Sequence, residues 1–234
     1  TDILLRHQGT LDKYIGDAIV AFYGAPAPLV DQEKKACSTA LMMHNKLDEL
    51  RKKWMKEDDW PDIVYQMQHR IGLNSGQMVT GNMGSEMRMN YTMMGDTVNL
   101  AARLEPAAKQ YGVYILVGEK VYEASNDEFA FRFLDFLSVK GKEIPAKTYE
   151  LIDRKESIDK RSIELIKTFE EGLDNYFNQK WDHAIQSFIK SISFEDDFPG
   201  RNTNPSQVFI DRCNYFKQNP PDLNWDGVWK MTSK

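Results

Sequence analysis

The stretch that decides the fold runs from residue 91 to residue 105 and reads YTMMGDTVNLAARLE. It predicts the end of a strand, a tight glycine turn and the start of a helix, which Asp96 or Thr97 can cap through a short side-chain oxygen. Asn99 and Arg103 are four residues apart and therefore share one face of that helix. An amide beside a guanidinium on a rigid element suits an anionic group under attack. The simple alternative is the polar face of an ordinary amphipathic helix.

A second informative stretch covers residues 9–24 and reads GTLDKYIGDAIVAFYG. It predicts two strands joined at the pair Gly16-Asp17, because β-rich runs flank a turn-forming dipeptide. A carboxylate held at a hairpin tip can ligate a hard cation, so Asp17 is a candidate metal ligand. The alternative is that Asp17 serves only the chemistry of the turn.

Composition narrows the class of protein. The chain has 234 residues, with 30 basic and 35 acidic side chains and a net charge of −5, which does not indicate a binder of duplex nucleic acid. Cys37 and Cys213 lie in apolar helical patterns, which favours buried thiols over a disulfide. No apolar run approaches the roughly 18 residues of a membrane span, and no signal peptide is visible. The expectation is a cytoplasmic protein, or the cytosolic part of a larger, membrane-attached sensor protein.

The rest of the first 152 residues predicts strands and helices that mix without a strict βαβ repeat. This order is typical of an α+β fold, with helices on one face of a mixed or antiparallel sheet. The predicted elements are a helix that Asp31 can cap and that runs to about Trp54, strands near 64–74 and 77–83, a helix at 96–108, a strand at 112–117, a helix near 118–125 and strands near 130–138 and 145–152.

Helices are predicted again near the C-terminus. Residues 153–162 are charged and predict a linker or the start of a long surface helix. Residues 163–218 have a helical apolar period, and residues 219–234 form a tail expected to lie against a surface. The helical segment resembles about one and a half tetratricopeptide repeats at Gly172, Tyr176, Trp181, Ala184, Phe188 and Pro205. Such units need neighbours, so we expect packing on the preceding domain or on a second subunit. The alternative is a docking site for a helical partner peptide.

Several separate motifs together resemble the catalytic domain of class III nucleotidyl cyclases, the adenylyl and guanylyl cyclases. The matching strings are KYIGDA at 13–18, RIGLNSG at 70–76, GNMGS at 81–85 and the stretch from 91 to 103. The resemblance implies a ferredoxin-like nucleotide cyclase fold over residues 1–152. It also implies an adenylate cyclase of bacterial type, which makes 3′,5′-cyclic AMP and pyrophosphate from ATP through attack of the ribose 3′-hydroxyl on the α-phosphate.

The resemblance assigns roles to individual residues. Asn99 and Arg103 match the catalytic pair that orients the ribose and stabilises the pentavalent phosphate. Lys13 and Thr92 match the pair that reads the purine, and Lys140 matches a loop lysine that contacts the triphosphate. The physical chemistry agrees with adenine, because a lysine only donates hydrogen bonds and adenine N1 accepts them, whereas guanine N1 carries a hydrogen.

The resemblance also implies metal ions and a dimer. Asp17 matches the second metal-binding aspartate of the family, and two Mg²⁺ or Mn²⁺ ions per site are expected. The family's first metal aspartate lies on a strand well upstream of the Gly-Asp hairpin, so that ligand is expected outside this sequence. In the family the site forms between two catalytic domains. One domain supplies the metal aspartates, and the other supplies the residues that read the base and the Asn/Arg pair. Because this chain carries residues of both kinds, the resemblance implies a symmetric homodimer.

Two alternatives stay open. A guanylate cyclase would perform the same reaction on GTP, and Lys13 disfavours it. A catalytically silent module would dimerise or dock partners through its C-terminal helices. The missing first aspartate favours this module, whereas the presence of Asp17, Asn99, Arg103 and Lys140 disfavours it.

Overall fold

The computed structural model describes residues 1–137, 145–196, 201–222 and 224–229. The strands are β1 (Thr10–Ile15), β2 (Ala18–Phe22), β3 (Ile71–Leu73), β4 (Val79–Ser85), β5 (Arg88–Met94), β6 (Ile115–Gly118), β7 (Phe129–Leu137) and β8 (Ala146–Arg154). The helices are α1 (Asp2–Arg6), α2 (Gln32–Glu57), α3 (Asp62–Tyr65), α4 (Asp96–Tyr111), α5 (Glu119–Ser125), α6 (Lys160–Phe177), α7 (Trp181–Ile192) and α8 (Pro205–Gln218).

The strands form three sheets. β1 and β2 make one antiparallel hairpin, and β4 and β5 make another. The third sheet has the order β3-β6-β8-β7, in which β3 is parallel to β6 and the other pairs are antiparallel. Strands and helices therefore mix as an α+β protein with a mixed sheet, which confirms the expected fold class.

Three local predictions were wrong. The strand predicted near 64–74 is β3, which covers only Ile71–Leu73; residues 64 and 65 belong to the helix α3, where Asp62 in the first turn suits a helix N-terminus. Asp31 holds the N-cap position of α2 in a left-handed conformation with φ 55°, and its side chain makes no cap hydrogen bond. Gly95, rather than Asp96 or Thr97, is the N-cap of α4. Asp96 instead lies in the first turn, where its charge complements the helix dipole.

Helix α4 lies directly against β3. A Cβ atom at Gly72 would come within 2.5 Å of the carbonyl oxygen of Ala101, so only a glycine allows the strand and helix to approach this closely. The amide of Asn74 donates a 2.9 Å hydrogen bond to the carbonyl of Thr97. These contacts position the N-terminal half of α4, which carries Asn99 and Arg103.

The opposite end of α4 is held by the C-terminal helices. The hydroxyl of Tyr111 donates a 2.6 Å hydrogen bond to Asp135 on β7, and the guanidinium of Arg212 on α8 donates to the same carboxylate oxygen at 2.6 Å. Burial raises the pKa of Tyr111, which keeps this hydroxyl a donor. Arg201 donates a 2.9 Å hydrogen bond to the carbonyl of Gly112, the C-cap of α4, and so satisfies an acceptor at the end of the helix.

One apolar core joins both parts of the chain. It contains inner residues of α4 together with residues of α6, α7, α8 and β7, including Leu104, Phe169, Phe188, Phe209 and Leu134. The C-terminal helices therefore pack on the preceding fold. Their resemblance to tetratricopeptide repeats stays a prediction.

Two further expectations concern the thiols and the membrane. Cys37 and Cys213 are both free and buried, as predicted. Within the described ranges, no helix combines the length and the apolar character that crossing a bilayer requires.

Candidate active site

Two residues predicted to act together meet between the two hairpins. Lys13 on β1 donates a hydrogen bond from Nζ to Thr92 Oγ1 on β5, with a distance of 3.3 Å. The lysine side chain is 47% exposed, so the ammonium is accessible to a ligand from solvent. Residues 79 positions apart in the chain thus form one polar contact at an accessible surface.

The sequence did not predict a third residue of this contact, Asp12. Thr92 Oγ1 donates a 2.8 Å hydrogen bond to Asp12 Oδ2, and the same carboxylate oxygen lies 3.4 Å from Lys13 Nζ. The side chain of Asp12 is only 1% exposed. In a regular strand Asp12 and Lys13 would point to opposite faces, and no signal in the sequence predicted otherwise.

A β-bulge explains how these neighbours reach the same threonine. Leu11 pairs with Ala21 and Lys13 pairs with Val20, so Asp12 is the extra residue on β1. A bulge re-aims side chains and increases the local twist. The bulge places the Asp12 carboxylate on the buried side of the contact between Lys13 and Thr92.

Asn99 and Arg103 lie on the outer face of α4. Both are exposed, and neither makes a side-chain hydrogen bond or an ion pair with the residues that the structure describes. A guanidinium with unused donors on a rigid helix can accept an anionic group from outside the chain.

Asp17 lies at the exposed tip between β1 and β2, as the hairpin prediction required. The described part of the chain contains no group of three or more histidine, cysteine, aspartate or glutamate side chains that could hold a metal ion. One carboxylate suits Mg²⁺ that takes its other ligands from water and substrate phosphates. Lys140, the predicted triphosphate lysine, lies outside the described residues.

A cleft of about 120 Å³ separates β2 from β3. Its walls include Phe22, Glu33, Gly72, Ser75 and Thr97. None of the described candidate residues lines it. The candidates are distributed over the hairpins and the outer face of α4, and this surface, rather than the cleft, is the candidate site.

The hairpins also expose a group of large apolar side chains. Tyr14 and Ile15 on β1, Val79 on β4, and Met89 and Met94 on β5 are each more than half exposed. Val79 pairs with Met94 across β4 and β5, and large exposed apolar side chains beside polar residues are typical of interaction surfaces. We call these five residues the hairpin patch.

Comparison with known proteins identifies the family. The sequence-family model of the adenylate and guanylate cyclase catalytic domain matches residues 2–153 of this chain. The terminal-differentiation-specific adenylate cyclase of Dictyostelium discoideum is 31% identical over 210 residues, covering 88% of this chain and 9% of that protein. This alignment is longer than the family match and therefore continues into the C-terminal helices.

Solved structures agree. The adenylyl cyclase CyaB from P. aeruginosa superposes with a TM-score of 0.57 and 29% identity, covering 68% of this chain and 79% of that chain. The guanylyl cyclase Cya2 gives a TM-score of 0.55 and 28% identity, covering 68% and 77%. The chain spans only 9% to 28% of the length of three curated relatives that it matches. Because the family model covers more than half of the sequence, this chain belongs to the family of adenylate and guanylate cyclase catalytic domains.

Proposed function

We propose that this chain is the catalytic module of an adenylate cyclase, which converts ATP to 3′,5′-cyclic AMP and pyrophosphate. The observation that carries the proposal is the 3.3 Å contact between Lys13 and Thr92 at an accessible surface. The ammonium can donate to adenine N1, and the hydroxyl oxygen can accept from the 6-amino group. Guanine would present a hydrogen on N1 to the ammonium, so it fits this pair poorly.

The reaction needs positioning and charge stabilisation more than covalent chemistry. The ribose 3′-oxygen attacks the α-phosphorus, the new O3′–P bond forms, the bond to pyrophosphate breaks, and the hydroxyl proton is released. Arg103, exposed on α4, stabilises the negative charge that grows on the α-phosphate. Asn99, one helical turn earlier, orients the ribose, and Lys140 contacts the triphosphate.

Asp17 would hold one Mg²⁺ or Mn²⁺ ion. Its exposed carboxylate is a hard oxygen donor that suits either ion. When bound, such an ion neutralises charge on the triphosphate. The described residues contain no group of three or more possible metal ligands, so any ion there would take most of its ligands from water or substrate phosphates.

The proposed site is shared between two copies of the chain. The hairpin patch includes Ile15, next to the tip that carries Asp17, and Met94 on the strand that carries Thr92, so a second copy that covers the patch would meet the site. In a two-fold dimer each residue is present twice, and Asp17 of one copy can face Arg103 of the other.

The first experiment measures cyclic nucleotide production with ATP or GTP and with Mg²⁺ or Mn²⁺, over a dilution series of the protein. Cyclic AMP formation whose specific rate falls on dilution is the expected result. Preferred turnover of GTP would support a guanylate cyclase. Absence of product under all conditions would support the silent module.

Mixing two inactive variants tests the shared site directly. D17N and R103A should each lose activity alone, while their mixture should recover about a quarter of the wild-type rate, since half of the dimers then hold one intact site. Lys109→Ala, at an exposed position later on the same helix, is the matched control and should stay active. Absence of recovery in verified mixed dimers would contradict the shared site.

A further inference from the structure

We propose that Asp12 determines the purine selectivity of this site by fixing the hydroxyl of Thr92 as a hydrogen-bond acceptor. The inference rests on the proposed function and deepens it, because it assigns selectivity to a buried residue that does not itself touch the base. Asp12 is a positioning residue in this sense, and it acts through Thr92.

The direction of the hydrogen bond carries the argument. A carboxylate only accepts, so the 2.8 Å contact between Thr92 Oγ1 and Asp12 Oδ2 consumes the single hydrogen of the threonine hydroxyl. A hydroxyl oxygen has two lone pairs, and Lys13 donates to one of them at 3.3 Å. The second lone pair is the only hydrogen-bonding capacity that Thr92 can offer to a ligand.

This restriction separates the two purines. The 6-amino group of adenine can donate to the free lone pair of Thr92 Oγ1. O6 of guanine is an acceptor, so its lone pair would face that of Thr92 Oγ1 without a hydrogen between them. Without Asp12 the hydroxyl could rotate and donate to O6. The carboxylate therefore removes the one adjustment that would let the site accept guanine at this position.

The local backbone and the burial of Asp12 support a specific role. The bulge on β1 places Asp12 beside Thr92, although a regular strand would direct it away from Lys13. Asp12 Oδ1 is buried and has no hydrogen-bond partner among the described residues. A buried acceptor without a partner lowers the stability of the folded protein, so an apolar residue at this strand position should make the protein more stable.

The test compares kcat/KM for ATP and for GTP in Asp12→Val and Asp12→Asn. Valine suits a buried strand position and removes the acceptor, and the ratio of ATP to GTP efficiency should fall about tenfold. Asparagine keeps a carbonyl that can still accept the hydroxyl hydrogen, so its effect should be smaller. Loss of folded protein lowers both rates equally and leaves the ratio unchanged.

A Thr92→Val background shows whether Asp12 acts through the threonine. In that background Asp12→Val should leave the ratio unchanged, and the exposed control Asp127→Asn should not alter it in the wild-type protein. Calorimetric titration with ATP and with GTP gives the same comparison for binding in proteins that also carry D17N, which should lack turnover.

The possible failures are distinguishable. If neither nucleotide binds or reacts, the proposed function is wrong. If the wild-type protein prefers ATP and Asp12→Val leaves the ratio within about twofold, or changes it equally in the Thr92→Val background, the inference about Asp12 is wrong while the proposed function stands.

Discussion

Arg132 on β7 forms a buried ion pair with Glu195, whose side chain lies 2.6 Å away and 63 positions later in the chain. The guanidinium also contacts Glu150 on β8 at 2.5 Å, and Arg201 pairs with Glu195 at 2.9 Å. Burial would raise the pKa of Glu195, but the attraction of Arg132 and Arg201 holds it below its usual range. These ion pairs connect the four-stranded sheet, through β7 and β8, to the segment that follows α7.

Substitution of Glu195 should therefore destabilise the whole protein. Glu195→Ala leaves Arg132 and Arg201 buried with less countercharge, and we expect a loss of about 3 kcal/mol in the free energy of unfolding. Urea denaturation measures it. Glu49→Ala breaks an exposed ion pair with Lys46 and should cost less than about 0.5 kcal/mol. Equal losses in the two variants would contradict the role of burial.

Acid should destabilise the protein through His69. Burial lowers the pKa of His69 to about 4, with further contributions from His44 and Arg51. Below the unfolded-state pKa of about 6.5, the unfolded chain binds a proton that the folded protein excludes. The contribution of His69 to the free energy of unfolding is therefore fully present above that pH and decreases toward pH 4. Between pH 7 and pH 5 we expect a loss of about 2 kcal/mol.

Denaturant titrations at several pH values test this dependence. His69→Phe keeps a ring beside His44 and Tyr114 but cannot bind a proton, so its stability should fall less between pH 7 and pH 5. His183 is exposed on α7, and His183→Gln should keep the wild-type slope. A His69→Phe slope equal to the wild-type slope would assign the pH dependence to other groups.

Close packing between α6 and α7 predicts that an added methyl group is harmful. A Cβ atom at Gly172 would lie 2.5 Å from the ring of Phe188, which is fully buried and packed against Phe169 and Phe209. Alanine improves helix propensity by about 1 kcal/mol, but overpacking costs about 1–3 kcal/mol, so Gly172→Ala should be destabilising.

The double variant with Phe188→Leu provides the control. A smaller side chain removes the clash, so the double variant should be more stable than the sum of the two single changes predicts. Thermal or urea denaturation of the four proteins completes the cycle. Strict additivity would show that the ring moves aside without cost.

Arg103 should matter for turnover and not for folding. It is exposed, and it has no ion pair among the described residues, so Arg103→Ala should leave the thermal midpoint within about 2 °C. Loss of its charge from the transition state should lower kcat about 100-fold or more. Arg103→Lys keeps the charge but loses the bidentate fork, so its kcat should lie between those of the wild-type protein and of Arg103→Ala. Unchanged kcat in the alanine variant would remove Arg103 from the proposed mechanism.

Local sequence rules predicted the elements that carry the candidate residues. The Gly16-Asp17 tip and the helix with Asn99 and Arg103 on one face depend on turn chemistry and helical spacing within a few residues. The helix cap was predicted at the wrong residue. The strand near 64–74 was predicted to begin too early, because a short apolar run does not distinguish a strand from a short helix such as α3.

Tertiary structure decided the relationships between distant segments. The sequence by itself determined the hairpin tip, the polar face of α4 and the buried thiols, since each follows from a local pattern. The bulge that joins Asp12 to Thr92 arises when β1 pairs with β2 and meets β5, and the anchoring of α4 requires Arg212 to meet Asp135 across 77 positions. Such contacts depend on where the chain returns in space, and only the folded structure determines that.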